Sequence, residues 1–195
     1  VREWVWQGGG FIGVGEPSAF QYQGRFFQLA DLLGVEEERG FSLNMRKYPL
    51  PVESTHFITA DLKNPFVCGE DVRSIYALSE QTKVLAATAT GIKMAVHPFG
   101  QGRSVYFAGL PYSADNNRVL LKALYWAARQ EQAMKVWFTS NPETECAAYP
   151  AAGRWAVINN SQQTVTTLVT TGDRKEFGVT LDPMAIKWFK IRDQG

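Results

Sequence analysis

The sequence predicts an α/β unit built on part of an open, flavodoxin-like sheet, followed by a small all-β antiparallel unit. Three observations carry this: a glycine-bounded apolar strand between two helical patterns near the start, one long 3.6-periodic segment at 116–129, and six short alternating segments after residue 130. The change of texture places the boundary near residues 131–134. The α/β domain is therefore expected over residues 1–132 and the β domain over 133–195.

The opening, Val1-Arg-Glu-Trp-Val-Trp-Gln7, reads as the last two turns of a helix, closed at Gly8 to Gly10 where a left-handed cap is expected. That helix has no beginning in the sequence, so the sheet is expected to be entered partway through. The apolar run at 11–14 predicts a strand buried on both faces, as parallel strands are. A loop, Gly15-Glu-Pro-Ser18, then leads to an amphipathic helix through Phe26, Phe27, Leu29, Ala30, Leu32 and Leu33, stopped by Gly34.

Residues 40–69 hold Pro49, Pro51 and Pro65 and read as a long, partly ordered loop. Strands at 74–78, 83–90, 92–96 and 104–108, punctuated by Gly91 and Gly100-Gln-Gly102, read as antiparallel additions to the sheet. Val119, Leu120, Ala123, Leu124, Trp126 and Ala127 give the helix at 116–129 its apolar stripe, with Ser113 or Asp115 as N-cap. Strands follow at 135–139, 146–149, 154–158, 164–169, 176–180 and 185–191, separated by turn formers such as Asn141-Pro142, Gly172-Asp173 and Asp182-Pro183. So many short strands in so little chain predict a β-sandwich or barrel-like domain.

Twenty Lys and Arg nearly balance 19 Asp and Glu, for a formal net charge of +1, and they are spread along the chain. No face is basic enough to draw nucleic acid or an anionic membrane, so neither is an expected partner. Cys68 and Cys146 lie far apart with no second ligand near either, which predicts buried, reduced thiols in a cytoplasmic protein.

The glycines of Gly8-Gly-Gly-Phe-Ile-Gly13 precede and enter a strand instead of opening a helix, so the dinucleotide fingerprint is absent. The turn with the right placement is Gly15-Glu-Pro-Ser18, at the carboxyl end of a parallel strand, where open α/β sheets hold ligands. Gly15, Glu16 and Ser18 are thus the candidate substrate- or phosphate-binding residues. The alternative is a buried Glu16 accepting backbone hydrogen bonds and a Ser18 capping the turn. His56 and His97 are too few for a metal cluster, and His97, before Pro98 at a strand end, reads as structural. No nucleophile elbow is present. The acidic clusters Glu36-Glu-Glu38 and Glu70-Asp71 read as solvated, and the six tryptophans as core in preference to sugar-stacking platforms.

One segment narrows the function. Trp6-Gln-Gly-Gly-Gly-Phe-Ile-Gly-Val-Gly-Glu-Pro-Ser-Ala-Phe-Gln-Tyr-Gln-Gly-Arg-Phe-Phe-Gln-Leu-Ala-Asp-Leu-Leu-Gly-Val35 resembles the middle domain of the lacto-N-biose phosphorylase family. Gly100-Gln-Gly-Arg-Ser-Val-Tyr-Phe-Ala-Gly-Leu-Pro-Tyr-Ser113 and Asn117-Arg-Val-Leu-Leu-Lys-Ala-Leu-Tyr-Trp126 are similar to the same domain, a pattern shared with trimeric β-galactosidases and other amidotransferase-like proteins. Arg154-Trp-Ala-Val-Ile-Asn-Asn-Ser161 and Ile186-Lys-Trp-Phe189 resemble the family's C-terminal β domain.

The resemblance implies an amidotransferase-like label for the first domain. It also implies an inverting phosphorolysis of galactosyl-β1,3-N-acetylhexosamine or galactosyl-β1,4-rhamnose to α-galactose 1-phosphate, with no metal or organic cofactor. The catalytic acid then lies on an N-terminal barrel upstream of Val1, so no catalytic residue is assigned in this chain and the chain alone is expected to be inactive. Disaccharide and phosphate would be met through that barrel. Absent neighbouring strands would leave an open sheet edge, so a homo-oligomer or poor solubility is expected. The competing reading is a non-catalytic assembly module, and a third is a free-standing sugar-binding protein using exposed tryptophans.

Overall fold

The computed structural model describes residues 1–16, 27–38 and 46–191. Two compact units are present, Val1–Gln130 and Glu131–Gly195. In the first, tight turns decide the sheet. Strands β1 (Gly10–Val14), β2 (Val35–Glu37), β3 (Ile75–Ala77), β4 (Lys83–Thr88), β5 (Gly91–Phe99) and β6 (Gly102–Phe107) form one sheet ordered β1-β6-β5-β3-β2, with β4 on β5. Only Gly100 and Gln101 separate β5 from β6, whose register pairs Phe99 with Gly102, and so short a loop forces an antiparallel hairpin. The β4–β5 pair is antiparallel for the same reason, while β1–β6 and β3–β5 are parallel. The sheet is therefore mixed, and the parallel character expected from the sequence is confined to those two pairs.

Successive β6 residues face opposite sides. Tyr106 and Ala108 join Val5, Phe27, Leu32, Leu33 and Val35 in one core, while Val105 and Phe107 join Met94, Val96, Val119 and Ala123 in the other. Strand β1 departs from expectation. It ends the sheet, paired among the described residues with β6, and only Gly13 is buried; Phe11 and Ile12 are half-buried and Val14 is exposed. An edge strand lacks the second neighbour that would have covered it.

The helix expected through residues 26–33 is one turn, α2 (Ala30–Leu33), closed by Gly34 at φ +69°. Phe27 lies before it, buried, and Phe26 falls outside the described residues. The strand β2 then starts at once, over glutamates that the sequence reading took as solvated. Ahead of these, α1 (Arg2–Trp6) is tied to α2 by the Arg2 guanidinium, whose Nε and Nη2 donate to the Asp31 carboxylate at 2.8 Å.

Helix α3 (Ala114–Ala127) starts where Ser113 Oγ accepts the Asn116 N–H at 3.0 Å. Its buried stripe is rotated from the expected one: Val119, Ala123 and Ala127 are buried with Asn116, Arg118 and Lys122, while Leu124 is 51% exposed. The cause is the segment beside it, where Lys122 pairs with Asp61 at 3.0 Å over the Phe57 ring.

The second unit holds β7 (Phe138–Thr139), β8 (Thr144–Tyr149), β9 (Arg154–Asn159), β10 (Val165–Thr170), β11 (Glu176–Leu181) and β12 (Ile186–Lys190). They make two antiparallel three-stranded sheets, β11-β10-β7 and β12-β9-β8, around Trp155, Val157, Val165, Val169, Val179 and Leu181. Trp155 stacks on Phe189 with centroids 4.3 Å apart and planes at 15°.

Candidate functional site

At the carboxyl ends of β1 and β6 lies a cleft of about 760 Å³. Its lining brings together three stretches distant in sequence: Gly15 and Glu16 after β1, Glu70 to Arg73 from the irregular stretch, and Gly109 to Pro111 after β6, with Glu37 from the end of β2. Strand polarity explains the meeting, because β1 and β6 run parallel and deliver their following loops to one edge.

Backbone geometry sets each wall. Gly15 turns with φ +71°, its N–H donating to Phe107 O at 2.8 Å and its carbonyl accepting the Tyr106 hydroxyl at 3.0 Å. Tyr106 is fully buried, and burial together with the Glu37 and Glu16 carboxylates pushes its phenol far above the ordinary value, so it stays a hydrogen-bond donor. On the opposite wall, a Cβ at Gly109 would stand 2.5 Å from Cys68 O and 2.8 Å from Glu70 O, an approach only glycine permits. Val72 N–H donates to Ala108 O at 3.1 Å. Asn116, buried at the head of α3, donates to Val67 O at 3.0 Å and Pro111 O at 2.7 Å and so locks both segments to the helix.

Two acidic clusters differ from expectation. Glu36 is fully buried, its Oε1 accepting the amides of Phe27 at 2.8 Å and Glu37 at 2.9 Å. Asp71 forms an ion pair with Lys93, whose side chain is 5% exposed against 16% for Asp71. A lysine amid the apolar β5 residues Ile92, Met94, Ala95 and Val96 was the available signal for a buried acidic partner. Nothing in the local pattern signalled Glu36.

Of the three candidate residues, two fall within the described part of the chain. Gly15 and Glu16 line the cleft, and Glu16 is exposed, which sets aside the buried-glutamate alternative; Ser18 lies outside the described residues. Chemically, the lining sets Glu16, Glu37, Glu70 and Asp71 against Arg73, and the Gly15 and Val72 amides are already engaged. Carboxylates accept hydrogen bonds from hydroxyl groups, whereas a phosphate needs open amides or cations. Val14, Val72, Leu110 and Pro111 add an apolar surface that suits the C–H face of a sugar ring. Among the described residues no group of three or more His, Cys, Asp or Glu is placed to hold a metal ion.

The cysteines and His56 serve the fold. Burial pushes the Cys68 thiol up to about 11, with Asp71 adding to the shift, and burial pushes the half-buried Cys146 to about 11 as well, so both are poor nucleophiles at neutral pH. His56 Nδ1 accepts the Ile58 amide at 3.2 Å. Of the tryptophans, Trp155 is buried, but Trp4, Trp6 and Trp188 are more than half exposed, contrary to their reading as core. Among the described residues no helix is long and apolar enough to cross a membrane.

With this geometry in view, comparison with known proteins is informative. Residues 1–132 match the lacto-N-biose phosphorylase central domain and residues 137–189 the lacto-N-biose phosphorylase C-terminal domain. A 1,3-beta-galactosyl-N-acetylhexosamine phosphorylase of Lachnoclostridium phytofermentans is 44% identical over 97% of the chain and 26% of its own length. Its namesake from Bifidobacterium longum subsp. longum is 40% identical over 96% and 29%, respectively. A D-galactosyl-beta-1->4-L-rhamnose phosphorylase of L. phytofermentans is 33% identical over 89% and 23%. The chain thus spans about a quarter of the length of these relatives. In fold it is similar to a beta-galactosidase from Rahnella sp. R3, with a TM-score of 0.52, 15% identity, and coverage of 97% of this chain and 30% of that one. Both units match in order and over most of their length, and on that ground the chain belongs to the lacto-N-biose phosphorylase family.

Proposed function

We propose that this chain is the C-terminal part of an inverting galactoside phosphorylase that cleaves galactosyl-β1,3-N-acetylhexosamine, or galactosyl-β1,4-rhamnose, with phosphate to give α-galactose 1-phosphate. The observation that carries this is the match of both units to relatives named as such phosphorylases, about four times as long as the chain. In this reading a carboxylic acid on a barrel outside the chain protonates the leaving oxygen while phosphate attacks the opposite face, the phosphorolytic counterpart of inverting hydrolysis. The first unit is a partial amidotransferase-like domain, and the Gly15–Glu16–Ser18 loop meets the galactoside at the boundary with the barrel. The carboxylates beside Glu16 favour a contact with sugar hydroxyls over one with phosphate. The enzyme works in the cytoplasm as a homo-oligomer, the side of β1 left unpaired among the described residues being one surface for assembly.

Release of galactose 1-phosphate from both disaccharides, by the full-length enzyme and by this chain side by side, tests the reading. Only the full-length enzyme should turn over, and Glu16→Ala in it should lower kcat/KM more than about tenfold. A second reading, a non-catalytic assembly module, draws on the fold likeness to a beta-galactosidase and on the edge strand β1. An unchanged kcat/KM for Glu16→Ala would favour that second reading.

A further inference from the structure

A carboxylate removed completely from water is costly and persists where it is held by donors and its removal would misplace something else. Glu36 is such a group. It is fully buried, yet it lies next to Glu37, which lines the cleft, and its Oε1 holds two amides at once. One belongs to Glu37 itself. The other belongs to Phe27, itself buried in the core. Gly15, the residue before Glu16, is held by the buried Tyr106 hydroxyl. The two anchors are themselves packed together, since the rings of Phe27 and Tyr106 lie 6.0 Å apart and tilted by 41°.

We infer that Glu36 and Tyr106 are positioning residues for the galactoside: Tyr106 fixes Gly15 and with it the adjoining Glu16, while Glu36, through the Glu37 amide, fixes the orientation of a second cleft carboxylate. This deepens the proposed function and rests on Glu16 meeting the sugar. The frame is two sets of hydrogen bonds, one on the Glu36 carboxylate and one from the Tyr106 hydroxyl, joined by the packing of Phe27 on Tyr106. Neither side chain reaches the cleft; each acts through the backbone of a residue that does.

The test uses the full-length phosphorylase. Glu36→Leu keeps volume and removes the acceptor; Glu36→Gln keeps an amide oxygen that accepts both N–H groups. The expected result for Glu36→Leu is a KM for the galactoside raised about tenfold with the KM for phosphate unchanged, and Glu36→Gln should restore most of that loss. Tyr106→Phe, which retains the ring, is expected to raise the same KM and serves if Glu36→Leu does not fold. A fall in kcat with both KM values unchanged, as a smaller folded fraction gives, would overturn the inference, and so would wild-type kinetics in Glu36→Leu or, where that variant is unfolded, in Tyr106→Phe. If Glu16→Ala is silent, the contact of Glu16 with the galactoside fails and this inference with it; if Glu16→Ala is impaired and the positioning variants are not, only this inference fails.

Discussion

The Tyr106 hydroxyl and the Gly15 carbonyl lie 3.0 Å apart, a buried donor on β6 holding the first residue of the loop that follows β1. Removing the hydroxyl in Tyr106→Phe leaves the ring packing intact and one carbonyl without this donor. Stability should fall by about 1 kcal/mol in urea unfolding of the chain. Amide exchange at Gly15 and Glu16 should rise by more than it does in the core of β5.

The Asp71–Lys93 pair predicts an asymmetry. Asp71→Asn strands an ammonium whose side chain is 5% exposed and should cost about 3 kcal/mol. Lys93→Met leaves behind a carboxylate nearer the solvent and should cost less, and the double variant should recover most of the Asp71→Asn loss. A double-variant cycle by urea unfolding measures the coupling; additive losses would contradict the pairing.

How far these features could be read in the sequence differs between the two units. The β unit was legible because both sheets are antiparallel and half-buried: along β10, Val165, Thr167 and Val169 face in while Thr166 and Leu168 face out, and turn formers separate the strands. Gly15 and Glu16 were legible as well, since the end of a parallel strand is a geometric position that a short apolar run reveals. The opposite wall was not. Residues 68–73 follow a proline-interrupted stretch with no period, and their place is set by Asn116 and Gly109, about forty residues away in the chain. Periodicity also misread the flank of α3, because Lys122 is buried by a salt bridge to Asp61, which no hydrophobic pattern records.

His97 makes stability depend on pH. Thr82 Oγ1 donates its one hydrogen to Gly34 O at 2.9 Å, so it accepts from His97 Nδ1 at 3.1 Å and fixes that tautomer. Burial holds the imidazole below its ordinary value of 6.5, against an opposing pull from the Asp31 carboxylate. As pH falls below 6.5 the unfolded chain gains a proton that the folded chain does not, so this contribution to stability is complete above 6.5 and is lost progressively below it. Melting temperatures between about pH 7.5 and 5.5 should decline more steeply for the wild type than for His97→Gln, which starts lower. Equal slopes would assign the titration to another group.

In the β unit, two tryptophans should behave oppositely. Trp155 is 5% exposed and touches Trp137, Phe177 and Phe189, so Trp155→Ala should cost about 4 kcal/mol. Trp188 is 53% exposed, beside Tyr149 and under Arg154, and Trp188→Ala should cost less than about 1 kcal/mol. Unfolding followed by near-ultraviolet circular dichroism distinguishes them.

The pairing of β1 with β6 bears on how the protein is made. The first strand of the sheet has as its described neighbour the last one, Gly102–Phe107, whereas β8–β9 and β10–β11 are hairpins of adjacent strands. During synthesis β1 therefore waits on the order of ten seconds for its partner to be translated. The β unit, translated after it, closes its local ladders almost as soon as they emerge, so of the two it is the α/β unit that has reason to meet a chaperone.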